Sequence, residues 1–182
     1  MPFPTLKSDN LLLRQIIADD IEKVFEGLSH PDVIKYYGVS FHTLAETKTQ
    51  MDWYAQMMAE DTGRCWAICA ADNSVFYGVI TLPFWDKVHR RAELGYWLLP
   101  NFWKQGIATK AAKLVIDYAF NQLHIHRIKA EVEDDNAGSI ATLQKLGFQY
   151  EGTQRECEIK NGKFINLQIF ALLQHTTNPK EE

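Results

Sequence analysis

Between Ala92 and Phe120 the hydrophobic period changes from two to 3.6 across a single glycine, which calls for a strand feeding a helix through a tight loop. Ala92, Leu94, Tyr96 and Leu98 alternate with Glu93, Gly95, Trp97 and Leu99, the period of a strand. Pro100 and Asn101 end it, because proline cannot donate to a ladder. From Ile107 onward Ile107, Ala111, Val115, Tyr118 and Ala119 fall on one helical face. Gly106 stands at the junction, followed by Ile107 and the small Ala108. A turn of this kind aims several free backbone N–H groups at one point, with a helix dipole behind them. Together they make an anion site, most naturally for phosphate.

A second unit follows. Arg127–Val132 reads as a strand, and Asn136–Gly147 as a helix with a glycine stop. The rest reads coarsely. Leu11–Ile17 is a strand, and Asp19 or Asp20 caps a helix running to about Leu28. A short helix starts after Pro31. Thr43–Glu60 is a longer helix with Met51, Tyr54, Ala55 and Met58 on one face. Arg64–Ala71 and Val75–Phe84 form a hairpin around Asp72-Asn73-Ser74. Lys163–Leu173 closes the chain as a strand with Ile165, Leu167, Ile169, Ala171 and Leu173 inward. The order implies an α/β (α+β) architecture: a mixed sheet with helices on both faces, the strands flanking Ile107–Asn121 running parallel. Residues 1–175 are expected to form one domain and 176–182 a polar tail.

Both motifs resemble those of the GNAT acyltransferases, the acetyl-CoA-dependent N-acetyltransferases. The loop Lys104, Gln105, Gly106, Ile107, Ala108 and Thr109 resembles the family's pyrophosphate-binding motif, with Gly106 and Ala108 matching. Trp103 stands where arginine or glutamine is usual, which suits the branch of ribosomal-protein N-terminal alanine/serine acetyltransferases; Lys110 departs from that branch's usual glutamate. NAGSIATLQKLGFQYEGTQRE resembles the second motif of the same branch through Asn136, Ser139, Lys145, Gly147, Phe148, Glu151, Gly152 and Arg155. The resemblance implies a mostly antiparallel twisted sheet of about six or seven strands. In it the parallel pair splays apart to admit the pantetheine arm of acetyl-CoA.

Composition agrees with an enzyme of this kind. The chain has 182 residues, 46% hydrophobic and 12% aromatic, so it is neither disordered nor membrane-spanning. A net charge of −4 without any lysine/arginine block excludes a nucleic-acid footprint. Cys65, Cys69 and Cys157 lack CxxC spacing, no residue set has metal-ligand spacing, and no nucleophile–base arrangement indicates a covalent intermediate. A cytoplasmic location and no metal are expected, with the chain a monomer or homodimer.

Acetyl transfer needs a neutral amine, a polarised thioester carbonyl and a stabilised leaving thiolate. The strand ends beside Leu98 and Leu99, which leaves N–H groups there; the resemblance gives both residues contact with the acetyl carbonyl. Glu93 is a carboxylate inside an apolar strand, costly unless solvated or paired. Burial would raise its pKa into the range of a general base, and the alternative is pairing with Arg90, Arg91 or a lysine. Asn136 and Ser139 open a helix, where Asn-x-x-Ser is also a capping pattern. The resemblance gives Asn136 a cofactor contact and places Ser139 near the thioester sulfur as donor or acid. Leu143 occupies the position where many of these enzymes carry a tyrosine acid. Tyr36, Tyr37, Trp85 and His89 fall where the family builds its acceptor cleft. The acceptor is expected to be a protein N-terminal amine, with a small amine (polyamine, amino sugar, amino acid or antibiotic) or a non-catalytic acyl-CoA-binding module as alternatives.

Overall fold

The computed structural model describes residues 3–174. In chain order its elements are β1 (Leu6–Ser8), β2 (Leu11–Gln15), α1 (Ile21–Leu28), α2 (Pro31–Ile34), α3 (Leu44–Ala59), β3 (Arg64–Ala70) and β4 (Phe76–Leu82). There follow β5 (Arg91–Glu93), β6 (Gly95–Leu98), α4 (Ile107–Asn121), β7 (Arg127–Glu133), α5 (Ala137–Lys145), β8 (Gln149–Lys160) and β9 (Lys163–Leu173). The tail expected at 176–182 lies outside the described residues.

The strand read over Ala92–Leu99 is two strands, and this division organises the molecule. A five-stranded sheet has the order β1-β2-β3-β4-β6, and a four-stranded sheet the order β5-β7-β9-β8. β5 runs parallel to β7, with Glu93 opposite Lys129, whereas β6 is antiparallel to β4. The chain therefore changes sheets at Leu94. The strand total exceeds the six or seven expected because β1 is too short to show a period. β8 is exposed along nearly its whole length, so it carries no apolar alternation.

Alternation along β5–β6 feeds two cores on opposite faces. Ala92, Leu94 and Leu98 join Ile107, Ala111, Val115 and Ala119 of α4 in the larger one. Trp97 and Leu99 join Val24, Leu28, Tyr54 and Met57 in the smaller one under α1–α3. Gly27 of α1 is required here: a Cβ on it would lie 2.1 Å from the Trp97 ring. Helix α4 has the predicted bounds because glycine, period and small residues agree locally.

Three local expectations are corrected by tertiary packing. The buried stripe of α3 is Thr47, Gln50, Tyr54 and Met57 rather than Met51, Tyr54, Ala55 and Met58, so two polar residues face inward. Asp20 does not cap α1 with its side chain. Its carboxylate instead accepts from Arg14 (2.7 and 2.8 Å) and from the Ile17 N–H (2.8 Å), tying β2 to the turn before α1. In β9 Leu173 is exposed and Phe170 is in the core, since Phe170 shares the face of β7 that packs on α4.

Candidate active site

The change of sheet at Leu94 opens a gap. Glu93 N–H donates to Pro83 O (3.0 Å) and Leu99 N–H to Tyr77 O (2.9 Å), so odd-numbered residues bond toward β4. Even-numbered groups point the other way: Leu94 N–H donates to Lys129 O (2.8 Å), the last rung to β7. Beyond it β6 and β7 diverge, and the alternation of an antiparallel ladder turns the Tyr96 and Leu98 N–H groups toward the gap. The Leu98 carbonyl, on the same side, accepts from Trp103 Nε1 at 2.8 Å. Leu99 departs from expectation, because its N–H is a rung to β4.

The loop below the gap presents the anion site. Gly106 adopts φ +75° as the N-cap of α4, a left-handed conformation, and a Cβ there would meet no atom within 4 Å. The first bond of α4 runs from Lys110 N–H to Gly106 O at 3.0 Å. The amides from Lys104 to Thr109 thus precede the helical ladder and have no backbone acceptor among the described residues. Gln105 folds back, donating from Nε2 to Asn101 O (2.9 Å), and does not line the cleft.

Above the gap α5 starts on Asn136, whose Oδ1 accepts the Ser139 N–H at 3.1 Å. The capping role is therefore present, and it holds the serine in the first turn of α5. The Ser139 hydroxyl lies 3.1 Å from the Tyr96 hydroxyl on β6. These pieces line one cleft of about 500 Å³, together with Leu98, Lys104, Gly106, Ile107, Ala108, Thr109, Tyr36 and Tyr37. Its charged lining residues are Lys104, Lys145 and Asp32. Cationic lysines beside free amides fit an elongated anionic ligand. Tyr36 donates to Asp135 O (3.4 Å) and Lys160 to Lys35 O (2.7 Å), strapping α2 to the loop before α5 and to β8. Burial pushes the Tyr37 phenol up.

Other predicted residues lie away from this cleft. Glu93 pairs with Lys129 (3.0 Å), which also meets Glu131 (2.6 Å). Burial raises the Glu93 carboxyl above its ordinary value while Lys129 pulls it down. At about 3.3 Å per strand residue, Glu93 stands roughly 16 Å of strand from Leu98. Trp85 packs between Arg64 and Lys87, and His89 is an exposed loop residue. Sequence reasoning missed Asp32, Lys145 and Tyr96 as lining residues. Tyr96 reads as one more inward position, and nothing local marks the splay that exposes its hydroxyl. Among the described residues no cluster of histidine, cysteine, aspartate and glutamate could hold a metal, and no helix is long and apolar enough to cross a membrane.

Comparison with known proteins places this geometry. The domain model described as "Acetyltransferase (GNAT) domain" matches residues 10–149. The chain is 33% identical to the uncharacterized N-acetyltransferase YoaA of Bacillus subtilis (strain 168), over 94% of this chain and 98% of that one. It is 28% identical to the spermidine N(1)-acetyltransferase of Escherichia coli (strain K12), over 90% and 86% of the two chains. In fold it is similar to the ribosomal L7/L12 alpha-N-protein acetyltransferase RimL in complex with coenzyme A. That likeness has a TM-score of 0.84 at 19% identity, covering 93% of this chain and 98% of that one.

Proposed function

The chain belongs to the GNAT acetyltransferase family, and on that footing we propose that it moves an acetyl group from acetyl-CoA directly to the N-terminal amine of a protein. The observation that carries the reading is the opening of the Leu98 N–H, the amides of Lys104 and Gly106–Thr109 and the Ser139 hydroxyl onto a single cleft. The co-substrate supplies a thioester carbonyl when bound. The loop amides, with Lys104 and Lys145 beside them, hold its pyrophosphate. Leu98 N–H donates to the carbonyl oxygen as negative charge develops there, and a preorganised donor stabilises that charge without the reorganisation water would need. Ser139, held by Asn136, faces the sulfur. Glu93 takes the proton released by the acceptor nitrogen along a chain of waters, the burial that raises its pKa making it the better base.

The charge of the cleft supports a single-amine acceptor. Asp32 is its one carboxylate among the described lining residues, enough for one ammonium but few for a polyamine. Thiol release from acetyl-CoA tests the proposal, measured with spermidine, amino sugars, amino acids and short peptides bearing free alanine or serine N-termini. Turnover with the peptides and none with spermidine is expected; the opposite pattern would replace the acceptor with a small amine. Tight acetyl-CoA binding without turnover on any amine would point to the binding-module alternative.

A further inference from the structure

Tyr96 and Ser139 stand 43 residues apart in the chain, yet their hydroxyls meet at 3.1 Å across the gap left by the splayed strands. Both line the cleft. The backbone N–H of Ser139 donates to Asn136 Oδ1, which fixes the serine backbone beside this contact and leaves its hydroxyl to be oriented by its own partners. Its hydroxyl carries one proton. That proton is directed steadily at a ligand only if another donor occupies the serine oxygen. Thr142, one turn further on, already donates to Gly138 O (2.9 Å), and Leu143 is buried in the core. The Tyr96 O–H is the group in place for the task.

We propose that Tyr96 is a positioning residue for acetyl transfer: it donates to Ser139 Oγ and so turns the serine proton toward the departing thioester sulfur. The inference rests on Ser139 facing that sulfur, as in the proposed function. The lone pair of the acceptor nitrogen forms the N–C bond to the acetyl carbonyl carbon; as the C–S bond breaks, its electron pair goes to sulfur and the thiolate accepts the Ser139 hydrogen bond. The acceptor nitrogen loses its proton through water to Glu93, and the thiolate takes one from water, so neither hydroxyl changes charge. A full proton transfer from tyrosine would run uphill. Burial raises the Tyr96 phenol above its usual value near 10, while a thiol ionises at about 8.5. Donors in series strengthen one another, which gives Tyr96 its effect without ionising.

A double-mutant cycle tests this. Ser139→Ala should lower kcat by roughly 10²-fold, as for loss of one fixed donor. Tyr96→Phe keeps the ring and should lower kcat by about tenfold or more with the KM for acetyl-CoA nearly unchanged. The double variant should be no slower than Ser139→Ala alone, since the tyrosine acts through the serine. A readout without turnover accompanies it: calorimetry with CoA and with desulfo-CoA. Tyr96→Phe should weaken CoA alone. Losses that multiply in the double variant, equal weakening of both ligands, or a normal kcat in Tyr96→Phe would each overturn the proposal. A normal kcat in Ser139→Ala would sink both this inference and the role of Ser139. An impaired Ser139→Ala beside a normal Tyr96→Phe would sink the inference alone.

Discussion

Replacing Gly106 separates the strain of the loop from its use. The residue sits at φ +75°, ψ 5°, where an L side chain costs about 1–2 kcal/mol. No atom lies within 4 Å of an added Cβ, so the Cβ itself meets no clash and backbone strain sets the stability cost. For a chain of 182 residues each kcal/mol shifts Tm by about 2–4 °C, which gives a fall of roughly 2–8 °C for Gly106→Val. Binding should suffer separately, because the new side chain enters the cleft beside the free amides. A charge-assisted bond from amide to phosphate is worth about 1.5–3 kcal/mol, so displacing one should weaken CoA by roughly 10- to 10²-fold. Gly162, in the turn between β8 and β9, provides the control: φ +74°, again with nothing within 4 Å, and no part in the cleft. Gly162→Val should lower Tm similarly and leave CoA binding intact. Calorimetric titration well below both melting temperatures reads the affinity. If Gly106→Val binds CoA as tightly as Gly162→Val does, the loop is not the pyrophosphate site and the reasoning fails.

The remaining predictions concern the carboxylate on β5. Glu93→Gln should cut kcat by roughly 10²–10⁴, with a smaller deficit at high pH as free amine accumulates; an unchanged pH–rate profile would remove Glu93 from the mechanism. The same residue should tune stability. Its carboxyl is raised above the ordinary 4.5, so the native state holds that proton more tightly than the unfolded chain. The resulting stabilisation is present below about 4.5 and lost as pH rises through the folded value; Glu93→Gln should flatten this part of the Tm–pH curve. Lys129→Met removes the cation that opposes burial, so the acid limb of kcat/KM should move to higher pH. An acid limb that stays in place would show that another group titrates there.

Helix α4 could be read to the residue because its determinants are neighbours in sequence: a left-handed glycine, the change of period, and small residues on one face. Asn136 opening α5 was legible for the same reason, since a cap reaches only to the first turn. The two faces of the strand around Tyr96 also followed from its period of two. The sheet change at Leu94 did not, because period fixes which side a residue faces and says nothing about which strand lies beside it. Glu93 met Lys129 rather than the cleft, Leu99 spent its N–H on Tyr77, and α3 buried Thr47 and Gln50 instead of Met51 and Met58. Each of these depends on a partner brought near by the fold. The sequence therefore determined the phosphate-type loop, the helix starts and the alternation, all set by backbone sterics over a few residues. The splay and the Leu98 amide were expected from the sequence, the splay through the family resemblance and the amide from the strand's end. Tertiary structure alone decided where the chain changes sheets, that Leu99 is paired, and the meeting of Tyr96 with Ser139, because only packing of distant segments determines which backbone and side-chain groups are left without partners.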